Sequence, residues 1–451
     1  MSLDARACYR ALKTRDRRFD GRFFTGVRST GIYCRPICPA PTPHAKHCVF
    51  FSHAAAAQEA GFRPCLRCRP EVSPDSPAWN GTSSTVARAL RLIAEGALDD
   101  GSVDTLASRV GVGERHLRRL FDEHVGASPI TVAGTQRLLF AKKLLTETAL
   151  PITAIAFAAG FSSVRRFNHV MLGTYQRSPR DLRGRKPVTT TAITLTLPFR
   201  PPYNWNALMR FLAPRAIPGV EQVTPEMYAR TIRIDNIAGR IEVSPVAKSH
   251  YLSARIELEN LRPLARVTDR LRRLFDTGAP ITDIESHLRP LIVKGNRGVR
   301  VPGAWDVFEL AIRAILGQQV TVKGATTLAG RIVEQYGETT EYGRHFPTAE
   351  TIASADLATI GLPRARAHCI RSVAEAFASD TPPQSSGDLL QLPGIGDWTA
   401  QYLAMRAFNE PDAFPGSDLG LRRAAGPDVS AKAEAWRPWR AYAAMHLWMT
   451  L

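Results

Sequence analysis

The chain has 451 residues, 44% of them hydrophobic, so it is long enough for about three domains with their own cores and is not a disordered chain. No apolar run approaches the length of a transmembrane helix, and the charged N-terminal segment excludes a secretory signal, so we expect a cytoplasmic monomer without membrane contact. The formal net charge of +18 predicts a polyanionic partner, and nucleic acid fits that description best.

Two linker-like stretches divide the chain. Residues 71–84 are rich in Pro, Ser and Gly, residues 183–192 are basic and rich in Thr, and a weaker break lies near 294–306. Helical periodicity dominates between the first two breaks and after the third, whereas the segment between the second and third alternates as strands do. The prediction is a multidomain α+β protein with domains at 1–75, 82–182, 189–297 and 298–451.

Four of the seven cysteines lie in one short segment near the N-terminus. Two close cysteine pairs separated by a loop are typical of a tetrahedral zinc site, and in a reducing compartment they bind metal more often than they form disulfides. A second ligand set with His44, His47 and Cys48 stays open as the less favoured choice, because these residues crowd on one loop. The predicted ligands of a single zinc ion are Cys34, Cys38, Cys65 and Cys68.

Two segments, VRSTGIYCRPICPA and AGFRPCLRC, resemble the N-terminal zinc domain of the Ada family of alkylation-response proteins. The resemblance implies that Cys34 irreversibly accepts a methyl group from a methylphosphotriester of DNA. Four thiolates around Zn²⁺ carry a formal charge of about −2, and methylation of one thiolate lowers the repulsion between the site and DNA phosphate. The repair step can therefore raise DNA affinity and activate transcription, and a purely structural zinc site is the alternative.

Two helix–turn–helix patterns follow, at residues 103–126 and 151–173. Each has an apolar helix, a glycine turn and a second helix with polar residues at its start, which suit a major groove. The pair resembles the AraC-type DNA-binding domain, which implies binding to promoter DNA and makes RNA polymerase a candidate partner, whereas a plain helical bundle is the alternative. The candidate groove residues are Glu114, Arg115, His116, Arg118, Ser162, Ser163, Arg165 and Arg166.

The stretch LPGIGDWTAQYLAMRAF, residues 392–408, predicts a tight glycine turn between two helices. Glycines let a DNA phosphate approach bare amide N–H groups at the start of a helix, which positions the DNA backbone without reading its sequence. The turn at 392–396 is also a candidate site for a monovalent cation. The residues expected to contact DNA here are Leu392, Gly394, Gly396 and Thr399.

The stretch AFPGSDLGLRR, residues 413–423, places Asp418 beyond the second helix of this hairpin. Hairpin and acid together resemble the helix-hairpin-helix–GPD superfamily of DNA glycosylases, in which the matching Asp is catalytic. Trp398 stands where glycosylases with lyase activity carry a lysine, which disfavours an oxidised-base glycosylase/lyase and favours a monofunctional enzyme. On the residues alone, Asp418 also fits a helix N-cap, since DLGLRR follows it.

The words DVFELAIRAILGQQVTV, LPGIGDWTAQY and WRPWRAYAAMHLW resemble AlkA-type 3-methyladenine DNA glycosylases, and residues 189–297 resemble the strand-rich N-terminal subdomain of that family. The resemblance implies hydrolytic release of alkylated bases from double-stranded DNA, in which Asp418 stabilises an oxocarbenium-like sugar or aligns water. It also implies an aromatic pocket for the cationic base, made of Trp398, Tyr402 and Trp448. On the residues alone, Trp448 also fits a core position.

Gln319 departs from the family pattern, because it stands where an apolar wedge fills the space vacated by the extruded base. A glutamine there either intercalates less firmly or donates a hydrogen bond to the unpaired partner base.

The predicted fold class is therefore a small zinc domain, an all-α tandem helix–turn–helix domain, a strand-rich α+β subdomain and an all-α helix-hairpin-helix domain. The predicted function is a bifunctional DNA alkylation-repair enzyme and transcriptional activator. The competing hypothesis is a zinc-containing transcription regulator whose C-terminal half binds damaged DNA without catalysis.

Overall fold

The computed structural model describes residues 4–74, 84–183 and 192–451. Most of both predicted linkers, and with them the predicted domain boundaries at 75, 82 and 189, lie outside the described residues. Within those ranges, no helix combines the length and the apolar composition that crossing a membrane requires.

The N-terminal domain is a small sheet flanked by helices. Its elements are α1 (Ala5–Thr14), β1 (Phe24–Val27), β2 (Ile32–Cys34), β3 (Cys48–Phe51), α2 (Ala54–Glu59) and β4 (Arg63–Pro64). The strand order is β3-β1-β2-β4, and β1 pairs antiparallel with both β2 and β3. The last pair, β2 and β4, is parallel, with Ile32 opposite Arg63 and Tyr33 opposite Pro64. This pairing brings the chain segments after β2 and after β4 to the same end of the sheet.

The second domain is helical, as predicted. Its helices are α3 (Ser84–Ala94), α4 (Val103–Arg109), α5 (Glu114–His124), α6 (Pro129–Glu147), α7 (Ile152–Ala158), α8 (Val164–Tyr175) and α9 (Pro179–Leu182). The pairs α4–α5 and α7–α8 are the two predicted helix–turn–helix units, and α6 connects them. Their turns contain Gly111 and Gly160 at φ +78° and +82°, a backbone conformation that glycine adopts without steric cost.

A five-stranded antiparallel sheet follows, with strand order β5-β9-β8-β7-β6. Its elements are β5 (Ile193–Pro198), α10 (Trp205–Leu212), β6 (Glu221–Val223), β7 (Tyr228–Ile234), β8 (Ile237–Pro245), β9 (Tyr251–Leu258), α11 (Leu264–Leu274) and α12 (Ile281–His287). The prediction that this segment forms strands is confirmed. Alternate residues of β5, beginning with Ile193, are buried and pack in one core with α10 and α11.

The C-terminal domain is helical apart from one minute hairpin, β10 (Thr339–Thr340) with β11 (Gly343–Arg344), which the all-helical prediction lacked. Its helices are α13 (Val307–Leu316), α14 (Val322–Tyr336), α15 (Ala349–Ala353), α16 (Arg364–Ala378), α17 (Ser386–Leu389), α18 (Asp397–Arg406), α19 (Leu419–Ala425), α20 (Val429–Lys432) and α21 (Arg440–Trp448). The predicted glycine turn lies between α17 and α18. A separate hydrophobic core joins α13, α14, α16 and α18.

Polar contacts connect these domains. The ammonium group of Lys143 in α6 donates to the carbonyl oxygen of Thr196 in β5 at 2.7 Å and to Glu147 at 2.9 Å. Arg273 of α11 pairs with Glu95, which follows α3, at 3.0 Å. The helix–turn–helix domain thus packs on the strand-rich domain through paired rather than isolated charges.

Candidate functional site

The four predicted zinc ligands come together at one end of the first sheet. Cys34 ends β2 and Cys38 lies in the turn after it, whereas Cys65 and Cys68 lie in the turn after β4. Because β2 and β4 are parallel neighbours, the two turns meet, and the four Sγ atoms lie within 4.8 Å of one another. The backbone N–H of Arg35 donates to the Sγ of Cys68 at 3.3 Å, which fixes one turn against the other.

This donor set fits zinc. A tetrahedron of thiolates at the usual Zn–S distance of about 2.3 Å keeps the sulfurs about 4 Å apart, close to the observed spacing. Hydrogen bonds among the thiols lower the pKa of Cys38 to about 7 and lower the pKa of Cys65, and they raise the pKa of Cys34. Cys34 is the partly exposed member, and the other three are buried. Across the described ranges no second group of this kind forms, so the alternative set with His44, His47 and Cys48 is not assembled.

The predicted groove residues lie on the surface of the two second helices. Arg115, His116 and Arg118 of α5 are exposed, and Glu114 at the start of α5 pairs with Arg118 at 2.5 Å. In the second unit Ser163 caps α8, because its hydroxyl accepts from the N–H of Arg166 at 3.2 Å. The remaining candidates are equally exposed; these are Ser162, Arg165 and Arg166.

The glycine turn presents backbone groups where the hairpin prediction places a phosphate. Gly394 has φ +78°, and a Cβ there would lie 2.5 Å from the Sγ of Cys369, so only glycine fits. Gly396 is the N-cap of α18, is exposed and has open space beside its Cα atom. Leu392 is half-buried beneath the turn. Thr399 is 2% exposed, and its hydroxyl accepts from Gln318 at 3.1 Å, so this hydroxyl supports the turn.

Gln319 lies at the tip of the loop between α13 and α14. It is exposed and adopts φ +57°, which is uncommon for a residue with a side chain. Its neighbour Gln318 points the other way and donates from Nε2 to the carbonyl oxygen of Gly394 at 3.0 Å. The loop that carries Gln319 is therefore tied directly to the glycine turn.

Asp418 is held by three donors. Its Oδ1 accepts from the N–H of Leu421 and from the indole N–H of Trp448, and its Oδ2 accepts from the indole N–H of Trp398, each at 3.0 Å. The prediction that Asp418 caps a helix is confirmed, and its role as a reactive carboxylate stays a prediction. A carboxylate has about four acceptor positions, so one remains for a water or a substrate atom.

The predicted pocket residues form a cluster of rings beside this carboxylate. Trp398 and Tyr402 stack with centroids 5.3 Å apart and planes 9° from parallel, and Tyr402 meets Trp448 edge to face at 6.3 Å. Phe211 of α10 joins the cluster 6.0 Å from Trp448. Flat aromatic faces next to a fixed anion suit a planar cation.

Two arginines that the sequence did not reveal bear on this cluster. Arg406, 4% exposed, donates to the hydroxyl of Tyr402 at 2.6 Å, and Arg215 lies 3.9 Å from the ring centroid of Phe211. Burial raises the pKa of Tyr402, but the charges of Arg406 and Arg215 outweigh burial and leave the pKa below its ordinary value. For Arg406 the available signal was a basic residue one helical turn after Tyr402, whereas Arg215 lies in a different domain from Tyr402 and gave no such signal.

Family models match four consecutive parts of the chain. They describe the metal binding domain of Ada at 7–71, a helix-turn-helix domain at 106–185, the AlkA N-terminal domain at 194–306, and an HhH-GPD superfamily base excision DNA repair protein at 312–435. The fold-class prediction is confirmed in all four parts.

Three relatives show how the parts combine. A probable bifunctional transcriptional activator/DNA repair enzyme AlkA of Mycobacterium tuberculosis is 41% identical over 99% of this chain and 97% of its own length. DNA-3-methyladenine glycosylase 2 of Escherichia coli is 35% identical over 56% of this chain and 96% of its own length. The regulatory protein ada of Salmonella typhimurium is 36% identical over 34% of this chain and 42% of its own length. Because the first similarity spans nearly both chains, the chain belongs to the family of bifunctional transcriptional activator/DNA repair AlkA proteins.

Proposed function

We propose that the chain is a DNA alkylation-repair enzyme and transcriptional activator with two reactive centres. Asp418 serves hydrolytic release of 3-methyladenine and related bases, and Cys34 irreversibly takes a methyl group from a DNA methylphosphotriester. The observation that carries the proposal is the Asp418 carboxylate, which two indole N–H groups of an aromatic cluster fix in place.

The glycosylase step follows from this geometry. An alkylated purine extruded from the duplex stacks on the rings of Trp398 and Tyr402, which accept a planar cation. As the bond between the base and C1′ breaks, the bonding electrons leave with the base, which departs neutral because alkylation had given it a positive charge. The Asp418 carboxylate then faces the positive charge that develops on the sugar, and a water adds to C1′ and loses a proton to solvent. Trp398 and Trp448 keep the carboxylate from rotating away.

The methyl-transfer step uses one sulfur. The Sγ of Cys34 attacks the methyl carbon, an S–C bond forms, the C–O bond breaks, and the phosphodiester leaves as an anion. Bound zinc would keep the four sulfurs deprotonated at neutral pH. Cys34 fits the acceptor role because Cys38, Cys65 and Cys68 are buried, whereas Cys34 is partly exposed.

Double-stranded DNA is the partner that both centres require. In the glycosylase half the proposed contacts are the amides at Gly394 and Gly396, with Leu392 beneath them and Gln319 entering the duplex. In the regulatory half they are the exposed residues at the starts of α5 and α8, which suit promoter DNA. Further parts of the proposal are a monovalent cation at residues 392–396, contact with RNA polymerase, a monomeric state and a cytoplasmic location, where thiols stay reduced.

The decisive experiment measures free base released from methylated duplex DNA. We expect wild type to release 3-methyladenine, and Asp418→Asn to bind the same DNA with about the same affinity while losing base release. Asp428→Asn is the matched control, because Asp428 is an exposed acid that pairs with Lys432 at 3.0 Å and has no contact with the aromatic cluster.

Two outcomes count against the proposal. No release by wild type, with tight DNA binding retained, makes the C-terminal half a damage-recognition module and favours the regulator hypothesis. Strand cleavage that borohydride traps as a covalent complex indicates a glycosylase/lyase.

A further inference from the structure

Arg35 connects the four-cysteine site to the interior of the zinc domain. It follows Cys34 directly, and besides its N–H bond to the Sγ of Cys68 its Nη1 donates to the carbonyl oxygen of Cys68 at 3.0 Å. Its other guanidinium nitrogens hold both carboxylate oxygens of Asp20, with Nε to Oδ1 at 2.8 Å. Asp20 and Arg35 are 4% and 7% exposed, so this pair is shielded from water. The position of Asp20 therefore depends on the turns that carry the cysteines.

The strand-rich domain also contacts the zinc domain at Asp20. The Nε of Arg200 donates to the carbonyl oxygen of Asp20 at 2.7 Å, and Arg200 itself is 2% exposed. The approach is close: a Cβ on Gly21 would lie 1.8 Å from the carbonyl oxygen of Pro74 and 3.0 Å from the Nη2 of Arg200. Residue 21 thus has no room for a side chain beside this contact.

The same contacts continue to the glycosylase centre. The carbonyl oxygen of Arg200 accepts from the Nη2 of Arg300, whose Nη1 donates to the carbonyl oxygen of Asp276 at 3.2 Å. The Oδ2 of Asp276 accepts from the hydroxyl of Tyr442 at 2.9 Å. Tyr442 lies in α21, the helix that ends at Trp448 and so supplies one of the indole donors to Asp418.

We propose that Asp20 and Arg200 are positioning residues of the glycosylase, which make the zinc domain part of the framework that holds α21. Buried donors and charges lose much free energy when a partner is removed, so the contacts from Arg35 to Tyr442 persist or fail together. An ordered four-cysteine site then steadies α21, and a disordered one loosens it. The consequence for base release rests on the function proposed for Asp418; the mechanical connection does not.

Hydrogen exchange of the full chain tests the connection without relying on catalysis. In wild type, removing zinc with a chelator should lower amide protection in α21 about tenfold. Arg200→Met should lower the amide protection of α21 by a similar factor with zinc present. Zinc removal should then lower this protection little further, because the hydrogen bond between Arg200 and Asp20 is already absent. Arg200→Lys, which retains one donor, should restore part of the protection.

Two references separate this effect from general damage. Asp283→Asn weakens a second contact across the same interface, the ion pair of the partly buried Arg22 and the exposed Asp283 at 2.6 Å, and should leave α21 unchanged. Helix α16 belongs to the other hydrophobic core and should keep its protection throughout. Equal loss in α16 and α21, or unchanged α21 in Arg200→Met, would overturn the proposal.

Base release gives the functional readout. Arg200→Met should lower kcat about tenfold with a smaller change in KM, because α21 supplies one of the donors that position Asp418. A kcat equal to that of wild type overturns the positioning role. Absence of base release in wild type contradicts the function proposed for Asp418 and leaves the exchange result as the test of the connection.

Discussion

The four-cysteine site and the Asp418 site are assembled in opposite ways. The first is local: two turns beside a single parallel strand pair supply all four sulfurs. The second is gathered from Trp398, Asp418 and Trp448, with Phe211 from a different domain. A reagent that reacts once needs one reactive atom, whereas turnover needs a carboxylate held in place through every cycle. Loss of Cys34 should therefore abolish methyl uptake outright, and loss of a residue that holds Asp418 should weaken base release by steps.

The largest expected effect is at Cys34. Cys34→Ala should abolish uptake of a labelled methyl group from methylphosphotriester DNA, because the remaining cluster sulfurs are buried. The matched control is Cys48→Ala: Cys48 is also partly exposed, but burial raises the pKa of its thiol, so uptake should be unchanged. Peptide mapping locates the label, and label on Cys38 or Cys65 would contradict the assignment.

Graded loss is expected around Asp418. Trp398→Phe and Trp448→Phe each keep a ring but remove one donor, which should lower kcat about 10- to 100-fold while DNA affinity stays close to that of wild type. Trp436→Phe is the control, since Trp436 packs on Phe414 at 5.9 Å and has no bond to Asp418. Single-turnover rates of base release measure the effect. Complete inactivity of both variants would contradict the expected difference between the two sites. Loss of one indole donor to Asp418 would then be as damaging as loss of Cys34.

A smaller effect concerns acid stability of the glycosylase half. His345 is 2% exposed, and burial lowers its pKa from 6.5 to about 4. As the pH falls, the unfolded chain therefore takes up a proton on this imidazole before the folded chain does. The stabilising contribution of neutral His345 is complete above pH 6.5 and is lost as the pH falls towards 4. Between pH 6 and 5 the free energy of unfolding should drop by about 1 kcal/mol more in wild type than in His345→Gln. Urea unfolding measures it, and parallel pH dependence of both proteins would refute it.

The smallest effect on stability is expected at Gln319. Gln319→Gly removes the steric cost of the left-handed backbone at this position but increases the conformational entropy of the unfolded chain. The free energy of unfolding should therefore change by less than about 0.5 kcal/mol. Affinity for abasic product DNA should nevertheless fall several-fold, because the side chain no longer enters the duplex. Asn409→Gly makes the same backbone change at φ +55° outside the hairpin and should leave DNA binding unaltered. Equal affinities for Gln319→Gly and wild type would remove Gln319 from the interface.

The sequence revealed the local site more completely than the assembled one. The four predicted zinc ligands lie in short motifs whose spacing already indicates metal binding. The structure brings together Cys34, Cys38, Cys65 and Cys68. For Asp418 the sequence left two hypotheses, a helix cap or a reactive acid, and they cannot be separated without the two indole donors that arrive from other helices.

The remaining parts escaped prediction for a related reason. The bond from Gln318 to Gly394 and the contact between Asp20 and Arg200 join residues far apart in the chain, and an arginine or glutamine has many equally good partners. The bond from Gln318 to the buried hydroxyl of Thr399 likewise could not be predicted, because Gln318 lies in a different segment of the chain.

The exposure of a single sulfur also bears on how many methyl groups each molecule can accept. Under the function proposed for Cys34, each molecule takes one methyl group, because the other three cysteines of the site are buried. The thioether that forms is not undone by thiol exchange, unlike a disulfide. The fraction of modified molecules thus counts the lesions met since synthesis, and only fresh translation or degradation resets the count.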